Sequence, residues 1–502
     1  MDLMDYNSIS NRRSPIIDPA SAHRCLIASL SLRLFLVLLF AFSVVAQQPQ
    51  PAAPSNPAPP VGQQPKAAEG DRHITPQEAK ELLGAVDRVL KFDSQNTALA
   101  IKSKVKRQLV DRDHVQEFIE KQLREDEDAQ RLKNGEVVLK KLGLIPRDFD
   151  IDTFLVQLLR EQVAGYYDPK TKFVNLLDWL PPETQMPVLA HELTHALQDQ
   201  NFDMEKWVKG PNHKKKMSPA ETIADDESSV ARHAVLEGQA MAVMIDWMLA
   251  PVGKSLITDP QIADAMEAGM AGGGDSPVFN RSPLYLQRVL VFPYTYGLSF
   301  ERALLKKGKD NAFAQVFQHP PVNTREVMEP AVYLSGEQLT PLGPPDLAAV
   351  LGNDWEMYDV GSIGEFDVAM IAEQFGDIAT SKKIYPNWRG GYYYAVKKKG
   401  VEVKAPEDIG IVFVTRWADA SGAEQFRKLW DDQVVPRYKA PPDMRAAPVA
   451  GYSGSLWPVA PEPVSVVSRG DLVIGIESVK AEMHENIRAA VLKQTAPSAS
   501  NR

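Results

Sequence analysis

The chain has 502 residues, more than one hydrophobic core ordinarily organises, so two or three folded units are expected. Apolar residues make up 44% and charged residues 24%, which excludes a multi-span membrane protein, a collagen-like fibre and a wholly disordered chain. A net charge of −9 offers no basic field for nucleic acid, and a single cysteine, Cys25, excludes an intramolecular disulfide and a cysteine zinc cage.

Residues 1–46 read as a secretory signal: Arg24 and Arg33 precede the apolar run LFLVLLFAFSVVA, and Val44 and Ala46 supply small residues before a cut at Gln47. An uncleaved anchor beginning at Cys25 is the alternative, with Arg33 then inside the span. The expected destination is periplasmic or extracellular, with membrane contact only if cleavage fails. Residues 47–72 are rich in Pro, Ala and Gln and form a linker. A helical subdomain over 73–150 opens at Thr75-Pro76-Gln77-Glu78, with a capping Thr, a Pro in the first turn and a Glu closing the box. The helical pattern continues to about Gln162. Gly165-Tyr166-Tyr167 and Phe173 to Leu176 then flank the turn Asp168-Pro169-Lys170-Thr171, a short β-hairpin. A helix follows from about Thr184 to Gln200, then a lysine-bearing loop, then a helix from Ser218 to Met248, continuous or broken once around Asp225-Asp226. Gly272 to Gly274 mark a loop, and Pro341 to Pro345 close the region 151–345.

Over 350–490 the pattern alternates. A helix at Glu365–Phe375, strands at Gly391–Val396 and Ile409–Thr415, a helix at Ser421–Trp430, and strands at Val464–Val467 and Leu472–Ile476 make a small α+β domain. A tail of 491–502 follows. The fold class is α+β, mainly helical.

His191-Glu192-Leu193-Thr194-His195 is the run that carries chemistry. Residues four apart share a helix face, so both imidazoles can reach one metal, while Glu192 can take a proton from a coordinated water. Zn²⁺ suits neutral imidazoles and acidifies its water. A catalytic site needs a third protein ligand and an open position. Among His213, Asp225, Asp226, Glu227, His233 and Glu237, the best placed is Glu237. It lies on the apolar face formed by Val230, Ala234, Met241 and Met244, where an unpaired carboxylate is costly and metal coordination explains it. His233, one turn earlier, is the runner-up ligand or a supporting partner. The alternative for Glu237 is a buried ion pair with Arg232 or Arg302.

These residues resemble the gluzincin clan of zinc metallopeptidases. More narrowly, Gly165 to Thr171, AHELTHALQDQ (Ala190–Gln200), Leu236-Glu237-Gly238-Gln239-Ala240, Pro293 to Gly297 and Pro320 to Glu326 resemble a group of exported bacterial metallopeptidase-like proteins, with a weaker likeness at Trp388 to Tyr392. The resemblance implies a zincin-like catalytic region with the hairpin beside the metal helix, His191, His195 and Glu237 as zinc ligands, Glu192 as general base and a polypeptide substrate. There are departures: the thermolysin-type Asn-Glu and the aminopeptidase Gly-x-Met-Glu-Asn signatures are absent. Glu329-Pro330 stands where relatives tend to carry His before Pro.

Tyr294, Tyr296, His319 and Arg325 are candidates to stabilise a developing oxyanion, with core packing for the tyrosines and surface positions for the other two as the alternative. Asp199, one turn past His195, is a candidate to orient an imidazole. In zincin-like folds an edge strand near the metal pairs with extended substrate, which the hairpin could imitate. Two rival functions stand beside the peptidase. One is a non-catalytic zinc-containing binding or assembly protein of the envelope, which would fill a fourth ligand position. The other is a metal-dependent hydrolase of a non-peptide amide or ester.

Overall fold

The computed structural model describes residues 73–125, 129–211, 217–271, 276–308 and 312–495. The expected signal segment with Cys25, the linker 47–72, His213 and the glycines Gly272 to Gly274 lie outside the described residues.

The chain is a mixed α+β protein dominated by helices. Helix α1 (Pro76–Thr97) begins with the expected capping box, Thr75 and Glu78 bonding each other's backbone N–H groups. Strand β1 (Lys106–Val110) follows, inside a stretch whose pattern reads as helical. It is short and opens on Lys-Arg-Gln, so its own sequence says little. What holds it is parallel pairing with β3 (Phe173–Leu177), which also pairs antiparallel with β2 (Tyr166–Asp168). The order is β1-β3-β2, leaving β2 at an edge. Helices α2 (Arg112–Glu125), α3 (Ala129–Leu142) and α4 (Ile151–Gln162) fill the interval between β1 and the hairpin.

Helix α5 (Pro182–Phe202) carries Leu189, Leu193, Ala196 and Leu197 on one side, against Leu82, Val86 and Val89 of α1 and Val174 and Leu176 of β3. At 3.6 residues per turn, His191 and His195 fall roughly opposite that apolar stripe. They face helix α6 (Pro219–Leu249), which starts with a second capping box, Ser218 and Glu221. Of the two readings, the continuous one holds: α6 runs unbroken through Asp225-Asp226. Partners outside the helix hold the acids there: Asp226 accepts from the Ser362 N–H, and Glu227 accepts from the N–H and hydroxyl of Thr324 and the hydroxyl of Ser362. Although α6 is long and apolar enough to cross a membrane, its side chains from Val230 to Ile245 are buried within the protein.

Helix α7 (Leu284–Lys307) crosses α6 with the two backbones in contact. A Cβ on Gly238 would lie 2.1 Å from the Gly297 carbonyl carbon, and one on Gly297 would lie 2.1 Å from the Ala234 oxygen. Only glycine permits this approach.

The C-terminal part forms one antiparallel sheet of seven strands, ordered β4-β5-β6-β10-β9-β8-β7. They are β4 (Trp355–Ser362), β5 (Trp388–Lys398), β6 (Ile409–Trp417), β7 (Ala447–Pro448), β8 (Ser453–Trp457), β9 (Val464–Arg469) and β10 (Leu472–Glu477). Helices α8 (Glu365–Phe375) and α9 (Ala420–Asp431) fall where the pattern places them. Strands β4, β7 and β8 add to the expected four, and α10 (Ala481–Thr495) runs past residue 491, where a tail was expected to begin. Phe366 and Met370 of α8, Phe413 of β6 and Trp430 of α9 share one buried cluster with Val235 of α6 and Phe292 of α7. The sheet therefore sits against the same core as α6 and α7, while the apolar side of α5 packs in the separate cluster with α1 and β3.

Candidate metal centre

His191 and His195 project from α5 and Glu237 from the middle of α6, and all three are at most 1% exposed. His191 Nε2 lies 3.0 Å from His195 Nε2 and 3.1 Å from Glu237 Oε2, which is 3.4 Å from His195 Nε2. These three electron-rich atoms converge as a group able to hold a metal ion. Bonds of zinc length at tetrahedral angles would separate ligand atoms by about 3.4 Å, close to what is found. Glu237 has no need of an arginine. Arg302 is held by Asp264 at 2.7 Å and by the Pro260 carbonyl, and Arg232 by the carbonyls of Trp207 and Val208.

The orientation of His195 is set from behind. Its Nδ1 lies 2.8 Å from Gln198 Oε1, an acceptor, so Nδ1 carries a proton and Nε2 is the ring nitrogen turned toward Glu237 and His191. Gln198 in turn donates to Gln239 Oε1 and to the Leu236 carbonyl, and Gln239 donates to Glu301 Oε2 at 3.4 Å and to the Phe313 carbonyl. This chain of amides ties α5, α6 and α7 together. Sequence reasoning had passed over Gln198, although its i+3 spacing from His195 is a readable signal. Asp199, the residue expected to orient an imidazole, does something else. Its carboxylate accepts from the Tyr167 hydroxyl at 2.7 Å and from Lys172 Nζ at 2.6 Å.

Glu192 is buried beside the cluster. Its Oε2 accepts the Tyr167 backbone N–H at 2.6 Å, while Oε1 carries no hydrogen bond. Tyr167 sits on edge strand β2 opposite Val174, so the N–H it gives Glu192 points away from β3. The free edge of the hairpin is thus already engaged at its middle residue.

Charge and burial work on these groups in opposite directions. Burial pushes the Glu192 carboxyl up to about 8 and His233 down to about 4. Burial also opposes charge on His195, but the Glu237 carboxylate overcomes it and lifts that imidazole to about 9. Burial opposes ionisation of Glu237 as well, yet the neighbouring imidazoles hold it well below the usual carboxylate range. His233 Nε2 reaches Glu237 Oε1 at 3.6 Å from one turn away and stands outside the three-ligand group.

Of the residues considered for charge stabilisation, Tyr294 alone comes to the cluster. Its ring centre is 6.3 Å from that of His191, and burial together with the Glu237 and Glu192 carboxylates drives its phenol far above the ordinary range, so it stays protonated. Tyr296 instead packs on Phe292 and Phe366. His319 is exposed, and Arg325 pairs with Glu337 at 2.7 Å, with Glu365 at 3.4 Å and more distantly with Glu329.

Fold and site together define an α+β chain with a buried His-His-Glu group, supplied by two crossing helices and able to bind a metal ion. No protein-family model matches the chain, and neither a curated protein nor a solved structure matches it significantly.

Proposed function

We propose that this chain is a zinc-dependent peptidase of gluzincin-like design, acting outside the cytoplasm. The observation that carries the reading is the meeting of His191, His195 and Glu237 with Glu192, whose carboxylate is fixed at one oxygen and without a hydrogen bond at the other. A zinc ion held by the three ligands would supply a Lewis acid that polarises a carbonyl and acidifies water. Glu192 does the proton work: Oε2 stays on the Tyr167 N–H while Oε1 takes a proton from the attacking water and returns it to the departing amine. Tyr294, kept protonated by its surroundings, donates to the carbonyl oxygen as negative charge develops there. Gln198 and Gln239 hold His195 in the tautomer that coordination requires.

A set of three donors, with His233 set back, supports catalysis over a purely structural metal, which would fill four positions. Burial of the ligands favours one rival, hydrolysis of a small amide or ester in place of a polypeptide.

The test is metal content of the purified chain beside Glu192→Gln and Glu237→Ala, followed by a peptide library and a panel of small amides and esters. The expected result is one zinc per chain, kept in Glu192→Gln, weakened in Glu237→Ala, with peptide hydrolysis lost in both. No zinc after metal-replete purification overturns the reading. Turnover confined to the small amides and esters moves it to the rival.

A further inference from the structure

A second feature lies two helical turns from Glu192. A cavity of about 220 Å³ opens where the loop entering β1 meets the end of α5, lined by Lys102, Lys104, Lys172, Tyr167, Asp199 and Gln200. That volume is smaller than sites that enclose a whole small-molecule ligand, and it suits one group on a longer one.

Its rim is built in place. Gln200 Oε1 accepts the backbone N–H groups of Lys102 and Ser103 at 2.9 and 3.0 Å, and its Nε2 donates to the Ser103 carbonyl at 3.1 Å. Asn201 Nδ2 donates to the Ala100 carbonyl at 2.9 Å. These bonds fix the backbone that carries the two rim lysines. On the floor, the buried Asp199 carboxylate is matched by Lys172 and the Tyr167 hydroxyl. Among the described residues, neither Lys102 nor Lys104 has a carboxylate at ion-pair distance. Asp87, which Lys104 helps to keep ionised from further away, is itself paired with Arg107 at 2.9 Å. The cavity therefore keeps an excess of two positive charges over a neutralised floor.

Tyr167 joins this cavity to the metal centre. Its backbone N–H holds Glu192 and its hydroxyl holds Asp199. Glu192 and Asp199 are seven residues apart, nearly two turns, so they lie on one face of α5 about 10 Å apart. An extended peptide covers that distance in about three residues.

We propose that this lysine pocket binds a carboxylate of the peptide ligand, about three residues from the bond presented to Glu192. The register rests on the peptidase reading; the anion pocket does not. The carboxylate has two sources, the C-terminus of the ligand or an acidic side chain, and both place the same group between Lys102 and Lys104.

The test is binding by fluorescence anisotropy, on the full chain with and without added zinc. Three labelled peptides of one length are compared: one with a free C-terminal carboxylate, its amide, and an amidated version with a single internal Glu. The expected result is at least about tenfold tighter binding of a carboxylate-bearing peptide than of the neutral amide, with the difference lost in Lys102→Gln/Lys104→Gln while circular dichroism is unchanged. The tighter of the two acidic peptides identifies the source. Equal binding of all three, binding of none, or a preference retained by the double variant overturns the proposal. So does stronger competition from inorganic phosphate than from acetate. Binding without cleavage leaves the pocket standing and counts against the peptidase; cleavage without a carboxylate preference does the reverse.

Discussion

Glu301 shows what the amide chain behind His195 requires. It is fully buried with Oε1 lacking any hydrogen bond, and burial pushes its carboxyl up to about 8 despite the bond from Gln239. An unfolded chain releases this proton near pH 4.5 while the folded chain retains it to about 8, so the stability it contributes is complete below the lower value and falls as pH rises through that window. Glu301→Gln, which has no proton to lose, is expected to gain little stability at pH 5 and on the order of a few kcal/mol at pH 8, seen as a clear rise in melting temperature only at pH 8. Parallel thermal scans at the two pH values check this; an equal shift at both would refute it. The His-His-Glu group itself was legible in the sequence, because i,i+4 histidines and a lone glutamate on an apolar helix face are local patterns. The partners of Glu192 and Asp199 were not. Tyr167 lies 25 residues from the one and 32 from the other, and nothing local signals that its backbone and its hydroxyl serve different carboxylates.

Helices α6 and α7 owe their spacing to a single crossing. At Gly238 and Gly297 the backbones touch, one residue from Glu237 and three from Tyr294. Adding a methyl group at Gly297 forces the helices apart, because the atom it meets is the Ala234 carbonyl oxygen and not a movable side chain. Gly297→Ala is expected to destabilise the protein by about 1–3 kcal/mol or more and to weaken the proposed metal binding, whereas Gly308→Ala, with open space around it, leaves it unchanged. Denaturant unfolding and metal titration of the two variants separate the outcomes. Other elements differ in how plainly the sequence announces them. The two capping boxes and the hairpin turn are spelled out in consecutive residues and fall where expected. Strand β1 is not, since its hydrogen bonds come from a partner more than 60 residues further on. The uninterrupted run of α6 through Asp225 and Asp226 depends on Ser362 and Thr324, which no reading of that helix alone could supply.

Across the whole molecule, the seven-stranded sheet is joined to the helix that carries Glu237. Glu227 bonds both Thr324 and Ser362 at the end of β4, so the helix that carries Glu237 is also bolted to the sheet. The α+β class was legible from the alternation beyond residue 350, but this attachment was not, because it joins residues 97 and 135 positions apart. The burial of these three side chains has a consequence in time. With His191, His195 and Glu237 at most 1% exposed, an ion seated among them would leave when the surrounding helices part, and the same opening would have to admit substrate. Stripping by a chelator is then expected to reach a ceiling rate that no longer rises with chelator concentration, the ceiling being the frequency at which the protein opens. A stopped or sampled time course at increasing chelator measures it; a rate that keeps climbing in proportion would show a path to the ion that needs no opening. The same clock would govern loading, so a chain that folds before meeting its metal acquires it slowly.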